Sequence, residues 1–253
     1  MEVELHKSIN IDSNIPFYNI LGGIGFTIGV YLFIKELREK KISPNMQTFL
    51  LSIYIFSTLC GLILANIGNW FIKPGILKLP LSERFQKAGF TFYFGVIGFF
   101  VISYILLKLF KVKKSAEIYN SVIPSLLIFH SFGRIGCMFA GCCYGKIVDW
   151  KLFNIFEIKR FPTREVEAIF LFVLFLIMKY KVKSNRVLLY FLSYPIFRFF
   201  IEFARGDNRG VLITSYFSPS QLISIVLFLI AFIYLLHRKV IKRVKYYKEV
   251  LDV

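Results

Sequence analysis

The sequence predicts an all-α, polytopic membrane protein of about seven transmembrane helices, N-terminus outside and C-terminus cytoplasmic. Three observations carry that prediction. Of the 253 residues, 57% are hydrophobic and 18% aromatic. The apolar residues form long runs, close to the ~20 residues a helix needs to cross hydrocarbon. Lys and Arg collect between the runs, where loops are expected.

The first run, 15–34, opens near Asn14–Tyr18 and carries Gly25 and Gly29 at a spacing whose ordinary meaning is close helix packing. The second, 47–72, is strongly apolar and holds Cys60 as a core residue. The third, 89–110, begins at Thr91–Tyr93, and the fourth, 118–143, contains most of HSFGRIGCMFAGCCYGK. The fifth, 164–180, enters through FPTREVEA. The sixth, 186–204, leaves through YPIFRFFIEFARGD, and the seventh, 217–237, starts at SPSQ. The fourth and sixth are the least apolar. MEVELHKSINIDSN has no basic patch before an apolar core, so no cleaved signal peptide is expected. No repeat, low-complexity tract or long linker divides the chain. A single membrane-embedded domain, 1–253, is expected, with a basic cytoplasmic tail at 238–253.

Orientation follows from basic residues in the loops. One side collects Lys35, Arg38, Lys40, Lys41, Lys111, Lys113, Lys114, the 179–186 loop and the tail HRKVIKRVKYYKEV. The other holds the N-terminal segment and the loops 73–88, 144–163 and 205–216, which are longer and poorer in Lys and Arg. The first side is therefore assigned to the cytoplasm. The formal charge of +17 does not point to nucleic acid. Its basic residues are spread over loop ends and the tail, where they anchor spans and meet anionic headgroups.

A charge at mid-bilayer costs ~2.5–3.5 kcal/mol on insertion scales, so intramembrane charge needs a reason. At about 100° per residue, His130, Arg134, Cys137 and Gly141 share one helix face. Tyr194, Arg198, Glu202 and Arg205 form a second stripe. An Arg198–Glu202 pair alone would merely make a polar helix insertable. Arg205 and Arg134 add cations that Glu202 does not neutralise, and surplus guanidinium charge in a semi-apolar pocket suits an anionic ligand such as a phosphate. The topology sets Arg164, Glu167, Gln221, Tyr18 and Thr91–Tyr93 at the same outer level, so polar residues of six spans gather in one slab. Gly133 and Gly136, beside Arg134, either pack a helix or let a headgroup approach the backbone.

These residues resemble a family. Gly133-Arg134-Ile135-Gly136, continuing to Gly141 and Gly145, is similar to the signature of the bacterial prolipoprotein diacylglyceryl transferases. Tyr194, Arg198, Glu202, Phe203 and Arg205 match a second motif of that family. Pro162, Thr163, Arg164 and Glu167 match a third, with Arg in place of Gln. Ser218, Gln221 and Ser224 match a fourth, and Tyr18 matches a tyrosine opening the first span. The resemblance covers most of the chain.

It implies a seven-span enzyme of the bacterial inner membrane that needs no cofactor. Such an enzyme moves the diacylglyceryl group of phosphatidylglycerol onto the lipobox cysteine of a prolipoprotein signal peptide, releasing glycerol 1-phosphate. The partners implied are phosphatidylglycerol, those signal peptides and membrane lipids. On this reading Arg134, Arg198 and Arg205 stabilise the departing phosphate, and Glu202 positions guanidiniums. Tyr18, Gly133, Gly136, Glu167, Tyr194 and Gln221 bind substrate. The chain departs from the family at Cys137, Ala140 and Cys142, where Asn, Asn and Glu are usual, and at Tyr93, where the family has a histidine. Either Tyr93 or His130 then takes the place of that histidine as base.

Cys137, Cys142 and Cys143 admit several readings. With His130 they resemble a ligand set, but C-x4-C-C is no standard zinc spacing. Cys137 could pair with either neighbour under oxidising conditions, and a redox or acyl-accepting role is a third option. Small residues packed between helices is the plainest account, and no metal site is expected. The alternatives to lipoprotein transfer are the same lipid site with another acceptor, or a membrane carrier or metal- or redox-sensing protein built on these residues.

Overall fold

The structure is a computed structural model that describes residues 17–73, 75–148, 160–207, 210, 212–213 and 216–251, with side chains described to residue 240. The predicted N-terminal segment, the first two residues of the first predicted span, much of the 144–163 loop and the side chains of the distal tail lie outside them. Among the described residues there are eight α-helices and no strand: α1 Phe17–Glu39, α2 Pro44–Ile72, α3 Leu81–Ala88, α4 Phe92–Leu109, α5 Ser115–Phe139, α6 Thr163–Tyr180, α7 Arg186–Ile201 and α8 Pro219–Leu251. Single 3₁₀ turns precede α3 (Ile76–Lys78) and continue α7 (Glu202–Ala204).

Six helices, α1, α2, α4, α5, α7 with its 3₁₀ turn, and α8 to Val240, are long and apolar enough to cross a membrane. The protein is a multi-pass membrane protein. The predicted span 164–180 forms α6, but its 18 residues include Arg164, Glu165, Glu167 and Lys179, so unlike the longer α1 it offers no window of that length with fewer charges. Those charges sit at its two ends, and the stretch between them, Ala168–Met178, has none. The sequence reading left 73–88 as loop. The structure has α3 there, too short to span and facing outward with Leu81 and Phe85.

The helix ends follow from local chemistry. Pro44 opens α2 in its first turn, where the missing N–H costs nothing. α1 and α4 both stop in a Schellman turn: Ile42 N–H reaches the Leu37 carbonyl (3.2 Å), and Val112 N–H the Leu107 carbonyl (2.9 Å). Lys41 and Lys111 hold the left-handed position that glycine usually takes, with their charge at the negative end of a helix dipole.

α5 is the axis of the bundle. It packs along α1 and α6 and touches α7, while α2 pairs with α4 and α7 with α8. In α5 67% of the central window is buried, against 17–33% in the other five candidate spans. Two apolar clusters flank it. One joins Leu32, Ile123, Leu127, Leu171, Met178 and Tyr190; the other joins Phe33, Leu50, Tyr54, Phe99, Ile118 and Val122. Gly25 lets α1 approach closely, since a Cβ there would lie 2.5 Å from Phe132 Cβ. Outside, Phe56, Phe71, Tyr104, Leu109, Ile169 and Phe200 are all more than half exposed. Such a belt suits hydrocarbon as its solvent.

Candidate active site

The site forms where the C-terminal end of α5, the N-terminal end of α6 and the C-terminal end of α7 meet. The first stripe predicted from sequence is shorter than expected. α5 ends at Phe139, and Gly141 stands beyond it at φ +63°, so it does not continue the His130–Arg134–Cys137 face. The second stripe also changes character. α7 ends at Ile201, a 3₁₀ turn carries Glu202, and Arg205 is extended. The tighter turn still leaves Arg205 Nε 3.7 Å from Glu202 Oε2.

Glu167, on the first turns of α6, is the hub. It is 1% exposed. Its Oε1 takes Arg134 Nη2 at 3.0 Å and the Tyr194 hydroxyl at 2.9 Å, and its Oε2 takes Arg198 Nη1 at 3.0 Å. Arg198 Nη2 continues to Glu202 Oε2 at 2.6 Å and donates to Ser220 Oγ at 3.4 Å. Arg205 then forks onto Asp207 with two bonds of 2.9 Å. An alternating chain of three guanidiniums and three carboxylates therefore crosses three helices and the segment after α7. Around Arg205 burial alone would weaken the cation, but the Asp207 hydrogen bonds and the nearby Cys143 thiol hold its pKa above the ordinary arginine value.

The formal charges of those six groups cancel, which corrects the expected surplus of positive charge. What the cluster offers an anion is unspent hydrogen-bonding capacity. Among the described residues the buried donors, Arg134 Nε and the His130 ring N–H, have no hydrogen-bond partner; the two Glu202 oxygens also lack one, but they accept and so repel an anion rather than bind it. The Glu202–Arg198 contact is close but not in hydrogen-bonding direction, so it is Coulombic. Arg134 Nη1 lies 3.8 Å from the Cys143 sulfur. A buried polar group left unpaired costs ~1–3 kcal/mol, so this concentration at one place is unlike structural packing.

The other predicted residues fall around this chain. His130 stacks on Phe92 with ring centroids 3.4 Å apart, and its Nε2 lies 3.9 Å from Glu167 Oε1. Tyr93 is buried beside Tyr194, its hydroxyl 2.7 Å from Ser224 Oγ. A Cβ on Gly133 would meet nothing within 4 Å, so that face of α5 is open, whereas a Cβ on Gly136 would lie 3.1 Å from the Tyr18 ring. Tyr18 itself is at the rim, 38% exposed. Gln221 is spent on structure: it shares a reciprocal cap with Ser218 (3.0 and 3.2 Å) and reaches the Phe199 carbonyl at 3.4 Å.

Backbone pairing brings Arg205 to this cluster. Gly145 bridges to Arg205, Lys146 N–H bonds the Ala204 carbonyl (2.8 Å) and Gly206 N–H the Tyr144 carbonyl (3.0 Å). On the other side Phe161 N–H bonds the Lys146 carbonyl (2.9 Å). Gly145 is squeezed between these strips, and a Cβ there would sit 2.1 Å from the Phe161 oxygen. Sequence reading missed Asp207 as a partner and Ser220 as a ligand of Arg198. The Arg205-Gly206-Asp207 spacing was a usable signal for the first.

Comparison with known proteins follows the same lines. Residues 7–237 match the family described as prolipoprotein diacylglyceryl transferase. The phosphatidylglycerol-prolipoprotein diacylglyceryl transferase 2 of Clostridium perfringens is 32% identical over 223 residues, covering 82% of this chain and 85% of that protein. The Clostridium tetani enzyme of that activity is 32% identical over 228 residues, covering 82% and 87%. The Staphylococcus xylosus enzyme is 27% identical over 256 residues, covering 94% and 90%.

Proposed function

The chain belongs to the prolipoprotein diacylglyceryl transferase family, and from that premise we propose that it transfers the diacylglyceryl group of phosphatidylglycerol to the lipobox cysteine of a prolipoprotein signal peptide. It does so as a single membrane-embedded domain of the bacterial inner membrane, N-terminus outside, with the site in the extracytoplasmic leaflet. The observation that carries the reading is the buried Arg134–Glu167–Arg198–Glu202–Arg205 chain, in which Arg134 Nε has no hydrogen-bond partner among the described residues.

In the reaction the substrate thiolate attacks the glycerol carbon that carries the phosphate ester. A C–S bond forms as the C–O bond breaks, and the phosphate oxygen keeps the electron pair and leaves as glycerol 1-phosphate. The departing group gains one negative charge, which Arg134 Nε meets with a donor already fixed in direction. Glu167 and Glu202 hold the guanidiniums so that no reorganisation is needed. Arg198 and Arg205 pair with Glu167 and Glu202 and so keep the network around Arg134 in place. The thiol proton passes to His130. Tyr93 is the weaker candidate, since its hydroxyl is engaged by Ser224 while both His130 nitrogens lack a partner. Tyr18, Tyr194, Gly133 and Gly136 frame the lipid, and Gln221 shapes the start of α8.

The test is complementation. In cells depleted of their own transferase, the wild-type chain is expected to restore the mass increase of a diacylglyceryl group on a lipobox reporter. A reporter with serine at the lipobox cysteine stays unmodified, and so does the wild-type reporter in cells making Arg134→Ala. An unmodified reporter with well-expressed wild-type protein would overturn the proposal.

A further inference from the structure

Three cysteines at the edge of the site have no part in that chemistry, because the substrate supplies the thiol. We infer that Cys137, Cys142 and Cys143 form a binding site for a single thiophilic d¹⁰ cation such as Zn²⁺ or Cu⁺. Their sulfur atoms all lie within 4.8 Å of one another, and no disulfide links them.

Straight-helix geometry would scatter these residues. Relative to Cys137, a continued helix would turn Cys142 and Cys143 by about 140° and 120° to opposite sides. The chain instead leaves α5 after Phe139, and Gly141 (φ +63°) and Cys143 (φ +62°) both take the left-handed conformation. These two turns fold the pair back over the helix end. The Cys142 thiol comes within 3.9 Å of the Cys137 carbonyl. A left-handed non-glycine residue is uncommon and costs roughly 1–2 kcal/mol, and the fold holds it with a Thr163 Oγ1 bond to the Cys143 carbonyl (2.9 Å).

The surroundings suit a sulfur-ligated cation. Zinc binds thiolate sulfur at about 2.3 Å, so three sulfurs on one ion stand about 4 Å apart. The present spacing is within an ångström of that. Three thiolates around a divalent ion carry one net negative charge, or two around Cu⁺, and Arg134 Nη1 stands 3.8 Å from Cys143 Sγ to offset it. Arg164 Nη1 spans the carbonyls of Cys137, Met138 and Cys142 at 3.4–3.5 Å and fixes the turn. A disulfide would use two of the three sulfurs and strand the third, whereas a soft ion uses all of them. Cys142 is exposed, which gives the ion a way in.

The experiment titrates Cd²⁺ into the reduced full-length chain in detergent under anaerobic conditions. A sulfur-to-cadmium charge-transfer band is expected, saturating at one equivalent. Zn²⁺ and Cu⁺ in separate titrations should each displace it, and their order of efficacy identifies the preferred ion. Cys142→Ala changes an exposed turn residue and should preserve the fold. It is expected to weaken Cd²⁺ binding at least as much as loss of a ligand's supporting bond does, about 10–100-fold. Cys60→Ala, in α2, is the control and should leave the band unchanged. The inference is overturned if the band is absent, is equal in Cys142→Ala, or depends on Cys60. It is also overturned if thiol counting finds Cys137 disulfide-bonded in protein isolated without reductant. None of these readouts depends on transferase activity.

Discussion

Each end of the bundle buries a carboxylate between two cations, and the two ends differ in what is left over. Glu36 of α1 accepts from Lys179 of α6 and from Arg186 of α7, both at 2.7 Å. Arg186 gives its Nε to the Val182 carbonyl (2.6 Å) and reaches the Asn120 carbonyl (3.2 Å), the group that Pro124 leaves without a helical donor. None of the buried nitrogen or oxygen atoms of Glu36, Lys179 or Arg186 lacks a partner. Glu167 lies about 18 Å along α6 from Lys179, bridges Arg134 and Arg198 in the same way, and sits among unsatisfied groups. In a low-dielectric interior a satisfied network rigidifies and an unsatisfied one is costly. The lesson is that bridging charge does not distinguish a clamp from a site; unspent hydrogen-bonding capacity does.

The comparison can be broken by mutation, and the largest effect should come from the clamp. Glu36→Ala strands two buried cations and is expected to lower stability by about 3–5 kcal/mol, seen in thermal unfolding in detergent. The protein that stays folded should keep its specific transfer rate. Lost activity at unchanged stability would place the chemistry at the wrong end. Arg198→Ala, at the other end, should slow transfer by about 10²–10³-fold, measured with purified protein and a lipobox peptide, with a smaller change in melting. A rate near wild type would remove the guanidinium chain from the reaction.

His130→Gln sharpens the contrast further. It keeps a polar side chain but removes the base, and transfer should fall by about 10²-fold with little change in stability. Equal rates would move the proton to another group. Tyr93→Phe is the mildest change. It removes the bond to Ser224 and should cost about 1 kcal/mol of stability, with transfer within a few-fold of wild type. A loss as large as that of His130→Gln would identify Tyr93 as the base.

Much of this was readable from sequence, because membrane spans declare themselves by length and apolarity. Six of the seven predicted runs became apolar helices, and the seventh became α6 despite its charged ends. The segment Leu81–Ala88 escaped because eight amphipathic residues fall below any span signal. Both polar stripes were visible as periodicities. The central place of Glu167 was not, since pairing between helices leaves no trace in the period of either one. The three thiols were visible as a possible ligand set, but their convergence was not fixed by the C-x4-C-C spacing. It depends on two left-handed residues, and only Gly141 advertises that conformation; Cys143 adopts it under tertiary constraint.

The central claim is that the unsatisfied end, and not the clamp, receives the phosphate of phosphatidylglycerol. It is tested most directly by the melting temperature of purified protein with and without added phosphatidylglycerol. The account predicts an equal upward shift for wild type and for Glu36→Ala, and none for Arg134→Ala. An Arg134→Ala protein stabilised by the lipid as strongly as wild type would contradict it.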